Sequence, residues 1–112
     1  MSDILKQLDL ILESRKEESP DHSYVASLYH KGLEKTLKKV SEESSETIMA
    51  AKDLEYQNTQ ENKDHLVYEI ADLWFHTMVL LASKNLSSTD ITDELQRRFG
   101  LSGHDEKANR ES

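Results

Sequence analysis

The sequence predicts an all-α protein, a small bundle of about five helices whose core is completed by dimerisation. Three observations lead there. Glycine occurs 3 times and proline once in 112 residues, too few for a turn-rich β fold. Apolar residues recur at helical spacing through most of the chain. Hydrophobic residues make up only 36 % of it, which suits a thin bundle or a protomer that shares core with a second copy.

The first element is expected over Asp3–Lys16, where Ile4, Leu8, Ile11 and Leu12 share one face. It ends in polar Glu17–Ser19 before Pro20, which disfavours helical backbone in the residue ahead of it. The second runs over His22–Lys31, with Tyr24, Val25, Leu28 and Tyr29 on one side. Asp21 or Ser23 caps its start and Gly32 stops it. A long third helix spans Glu34–Leu54, with Leu37, Val40, Ser44, Thr47, Ile48 and Ala51 as its packing stripe. Glu55–Asp64, apolar only at Tyr56, is expected to be a surface loop.

The fourth helix, His65–Lys84, differs in kind. Apolar residues from Leu66 to Leu81 surround nearly all of it, so it should be central or lie in an oligomer interface. The fifth opens with a capping box, Ser87 and Asp90, carries Ile91, Leu95 and Phe99 on one side, and stops at Gly100. The whole chain, 1–112, forms one domain, with 105–112 expected to be a mobile tail.

Composition narrows the function classes. A net charge of −8 disfavours nonspecific binding to nucleic acid or anionic membrane. The absence of cysteine excludes thiolate metal sites, cysteine nucleophiles and disulfides. Asp3, Lys6 and Asp9 rule against a signal peptide, and the apolar run Leu73–Ala82 is too short to span a bilayer. No nucleic-acid or membrane partner is expected, and the expected location is cytoplasmic.

The chemistry-bearing feature is acidic. On the third helix Glu43 and Glu46 fall on one flank of the apolar stripe together with Lys39, while Glu42 turns further outward. On the fourth, Glu69 and Asp72 share a stripe with His65 and His76. Asp72 is set beside Leu73, Trp74 and Phe75, where a carboxylate is costly without a counter-charge or metal. Two i,i+3 acidic pairs on helices that pack together gather four carboxylates, and hard divalent cations answer their repulsion. Plainer readings exist for each part. Glu42, Glu43 and Glu46 could be a solvated face, and Glu69 and Asp72 could pair with Lys39, Arg15 or Arg98. His65 and His76 read better as packing or hydrogen-bonding residues than as ligands.

The string Glu42-Glu43-Ser44-Ser45-Glu46 followed by Glu69-Ile70-Ala71-Asp72 resembles the EExxE…ExxD pattern of the MazG-like all-α nucleotide pyrophosphohydrolases. Three further stretches resemble one branch, the phosphoribosyl-ATP pyrophosphohydrolases of histidine biosynthesis. They are Ser23 through Gly32, then Leu37 through Glu43, then Leu66 through His76, with Glu94 through Gly100 extending the likeness. Ser44-Ser45 depart from the alanines frequent in relatives, and both remain small.

The resemblance implies a homodimer or dimer-based oligomer that hydrolyses phosphoribosyl-ATP to phosphoribosyl-AMP and pyrophosphate. It implies Mg²⁺, with Mn²⁺ as a substitute, held by Glu43, Glu46, Glu69 and Asp72. Glu46, or else Glu42, would take the proton from the attacking water. Lys39 is the first candidate for a phosphate contact, followed by Lys38, Arg98, Arg97 and Lys107, and His30-Lys31-Gly32 could border the ligand pocket. Two other functions fit the residues: a related nucleoside triphosphate pyrophosphatase, and a non-enzymatic helical dimerisation module.

Overall fold

Helix α1, Ile4–Ser14, turns its Leu12 inward, and a 3-10 turn at Arg15–Glu17 ends it before Pro20. The computed structural model describes residues 3–100, and among these the chain is helical and contains no strand. Helix α2, Tyr24–Lys31, is capped by Ser23, whose hydroxyl accepts the Ala26 N–H at 3.1 Å. Of the two candidate caps, Ser23 is therefore the one used.

Gly32 closes α2 and opens α3, Leu33–Tyr56, with no linker between them. Its φ of 94° is the reason for glycine: open space surrounds the position where a Cβ would stand, but other residues rarely adopt this backbone. Helix α4, Gln60–Ser83, follows after residues 57–59 and runs back along α3 in the most extensive helix pairing of the fold. Helix α5, Ser88–Phe99, starts with the expected capping box and ends at Gly100, φ 67°.

The expected loop at Glu55–Asp64 is corrected. Most of it is helix, and the turn is confined to residues 57–59. Glu, Gln and Lys are good helix formers whether or not an apolar face is present. Thr59 then caps α4 by accepting the Asn62 N–H at 3.1 Å, and Asn62 Nδ2 donates back to the Gln57 carbonyl at 2.8 Å.

The packing stripe of α3 is also corrected. The side chains turned toward the rest of the chain are Thr36, Glu43 and Ala50, with Val40, Thr47 and Leu54 partly covered between them. Leu37, Ile48 and Ala51 lie instead on an exposed face. Apolar residues occupy two adjoining faces of this helix, and periodicity alone merged them.

The core explains that split. Leu12, Val25, Leu28, Met78, Val79 and Ala82 form one buried cluster from α1, α2 and the C-terminal half of α4, with Leu5, Leu8, Tyr29 and Phe75 packed against it. Tyr29 donates its hydroxyl to the Leu12 carbonyl at 2.8 Å, and burial, with the charge of Glu13, pushes that phenol up to about 12. Beyond this cluster α3 and α4 continue as a two-helix arm. Ile48, Met49, Val67 and Tyr68 are each more than half exposed there, while Trp74 lines an apolar groove nearer the core with Leu5, Met78, Ile91 and Leu95. Helix α4 is thus central at one end only, covered on few sides at the other. By length and composition it would also suffice to cross a membrane, but here its Glu69, Asp72 and His76 sit against the neighbouring helices of a bundle.

Candidate active site

Where the core gives way to the arm, α3 and α4 bring acidic side chains face to face. Glu43 and Glu69 are buried, 5 % and 6 % exposed, and Asp72 is partly covered. One carboxylate oxygen from each lies within 4.8 Å of the others. Glu46 is exposed, yet its carboxylate is near enough to raise the pKa of both Glu43 and Glu69. Helical geometry accounts for the convergence: residues three apart on each helix share a face, and the antiparallel partner presents the second pair.

The electrostatics follow from burial and crowding. Desolvation, then the charges of Asp72 and Glu46, raise the Glu43 pKa, with Lys39 opposing them. Desolvation and Glu46 likewise raise Glu69, opposed by His65, whose Nε2 lies 3.7 Å away. Without a cation these carboxyls hold protons more tightly than an ordinary glutamate does. The donor set fits a hard divalent ion. It offers only oxygens, and oxygens around six-coordinate Mg²⁺ stand about 3–4 Å apart, close to the present spacing.

Histidine 76 borders the cluster. Its Nδ1 is 3.0 Å from the backbone carbonyl of Asp72 and 3.3 Å from Glu43 Oε1, and its Nε2 is 2.8 Å from the Tyr24 hydroxyl. The hydrogen bonds expected of His76 are present in the structure. Tyr24 was placed only on a packing face of α2. Its spacing carries no sign of a contact with a residue 52 positions away.

The basic candidates separate. Lys39, partly buried, acts on Glu43 and Tyr24 and belongs to the site, whereas Lys38 is exposed. Glu42, expected to turn further outward than Glu46, is instead the partly covered one of the two and acts on Tyr24 at the site's edge. Arg98 and Arg97 both bind Glu94, at 2.9 Å and 2.6 Å, and Arg15 lies 4.0 Å from Glu18. The counter-charges acting on Glu43 and Glu69 are thus Lys39 and His65; of the alternative partners, Arg15 and Arg98 pair elsewhere. Gly32 lines a cleft of about 380 Å³ with Lys16, Thr36 and Lys84, and none of the four carboxylates borders it. Lys107 and the expected tail lie outside the described residues.

The profile described as phosphoribosyl-ATP pyrophosphohydrolase matches residues 5–99. The chain belongs to the phosphoribosyl-ATP pyrophosphohydrolase family. A curated relative from Hydrogenovibrio crunogenus (strain DSM 25203 / XCL-2), named phosphoribosyl-ATP pyrophosphatase, is 70 % identical over 109 residues. That alignment covers 97 % of this chain and 94 % of the relative. The phosphoribosyl-ATP pyrophosphohydrolase match takes in the whole acidic constellation together with Tyr24, Lys39 and His76.

Proposed function

We propose that this protein hydrolyses phosphoribosyl-ATP to phosphoribosyl-AMP and pyrophosphate, the second step of histidine biosynthesis, at the Glu43–Glu69–Asp72 cluster. The observation that carries this reading is the convergence of those three carboxylates within 4.8 Å in a member of this family. Glu43, Glu69 and Asp72 would hold Mg²⁺, or Mn²⁺ in its place, with Glu46 adjoining them. Bound there, the ion would supply charge neutralisation at the phosphate oxygens and acidify the attacking water.

The remaining roles fall to the chain's own groups. Water attacks between the α- and β-phosphates, and pyrophosphate leaves. Glu46, exposed and next to two buried carboxylates, takes the proton from that water in preference to Glu42. Lys39 meets the phosphate chain, since it is the lysine that already acts on Glu43. Arg97 and Arg98 would have to leave Glu94 to assist, so they and Lys38 are secondary contacts.

The working form is a homodimer in the cytoplasm. A two-helix arm with exposed Ile48, Met49, Val67 and Tyr68 cannot cover its own apolar surface, and a second arm would. The test compares pyrophosphate release from phosphoribosyl-ATP, ATP and other nucleoside triphosphates in Mg²⁺. Marked preference for phosphoribosyl-ATP is expected. Equal turnover of all of them would make the protein a general triphosphate pyrophosphatase, and none at all would make it a dimerisation module.

A further inference from the structure

We infer that Tyr24 and His76 form a positioning pair that fixes the carboxylate of Glu43 for metal binding; this rests on the metal-site reading given above. The pair joins three helices at one imidazole. Tyr24 comes from α2, His76 from α4 and Glu43 from α3. The ring is 5 % exposed, so its hydrogen bonds cannot be exchanged freely for water.

The contacts define which nitrogen carries the proton. Both neighbours of Nδ1, the Asp72 carbonyl at 3.0 Å and Glu43 Oε1 at 3.3 Å, are acceptors, so Nδ1 carries hydrogen. The Tyr24 hydroxyl lies 2.8 Å from Nε2, and with hydrogen on Nδ1 that nitrogen is free to accept from it. The ring thus bridges the Tyr24 hydroxyl on one side to Glu43 and the turn that bears Asp72 on the other.

Ring packing holds the arrangement in place. Tyr24 meets His76 edge-on, with centroids 5.8 Å apart, and Phe75 does the same at 5.1 Å. The imidazole cannot rotate without disturbing both. Groups that orient a ligand in this way set metal affinity even though they never touch the ion.

The test is Mn²⁺ binding to the full chain, read by electron paramagnetic resonance of the free ion, in wild type, His76→Leu, His76→Asn and Tyr24→Phe. An asparagine amide can stand near the Nδ1 position and donate to Glu43, whereas leucine cannot. Wild type is expected to bind, His76→Leu to bind about 10- to 100-fold more weakly, and His76→Asn to recover part of that loss. Tyr24→Phe keeps the ring and removes only the hydroxyl, so it decides the matter if His76→Leu does not fold. Its Mn²⁺ affinity is expected to fall by about tenfold, with the helical circular dichroism of the metal-free protein unchanged. Undiminished affinity in folded His76→Leu and in Tyr24→Phe would overturn this inference alone. Failure of the wild type to take up Mn²⁺ would overturn the carboxylate site and the inference with it.

Discussion

Asp9 and Ser88, 79 positions apart, are joined by two hydrogen bonds: the Asp9 carboxylate accepts the Ser88 N–H at 3.0 Å and its hydroxyl at 2.5 Å. The contact ties α1 to the first residue of α5 and satisfies a buried serine. Asp9→Ala leaves both donors without their acceptor. It should cost about 1–3 kcal/mol, seen as a lower urea midpoint at unchanged m-value. An unchanged midpoint would show that water replaces the carboxylate without loss.

Leu28 is 1 % exposed at the meeting of α1, α2 and α4. Leu28→Ala should destabilise the fold by about 2–5 kcal/mol, combining lost transfer energy with a residual cavity. Thermal melts compared with the exposed-site variant Leu10→Ala provide the check. The second should be nearly silent, because Leu10 is 73 % exposed.

Most of the helix order was legible from spacing, capping residues and the two glycine stops. The turn at residues 57–59 was not, because a polar stretch of good helix formers carries no apolar period to read. The two faces of α3 merged for a related reason: apolar residues facing solvent and apolar residues facing α4 have the same chemistry. The acidic pairs were legible because Asp72 breaks the pattern of an apolar helix. The Tyr24–His76 contact was not, since it depends on how α2 crosses α4 rather than on spacing within either.

Acid should stabilise the metal-free protein. Glu43 and Glu69 have pKa values raised above the ordinary 4.5, so the native state binds more protons than the unfolded state in the window between that value and the raised ones. Stability therefore falls as pH rises through that window, and the penalty is absent below 4.5. Glu94 has the opposite sign, held down to about 2 by Arg97 and Arg98, and its contribution is lost only as pH falls below the ordinary range. In chelator, the melting temperature should rise from neutral pH toward about pH 5, and rise less in Glu43→Gln. Identical pH slopes in the two proteins would remove Glu43 from the explanation.

Self-association through the arm is open to a direct measurement. Val67 is 68 % exposed and touches none of the buried cluster. Val67→Glu should shift the molar mass by light scattering from dimer toward monomer while leaving helicity intact. A wild type of monomer mass at all concentrations would contradict the dimer.

The most direct test of the central claim measures Mg²⁺-dependent pyrophosphate release from phosphoribosyl-ATP by wild type, Glu43→Ala and Asp72→Ala under one set of conditions. The wild type should be active, and both variants should lose that activity while keeping their helical circular dichroism. Full activity in either variant would contradict the assignment of the chemistry to this cluster.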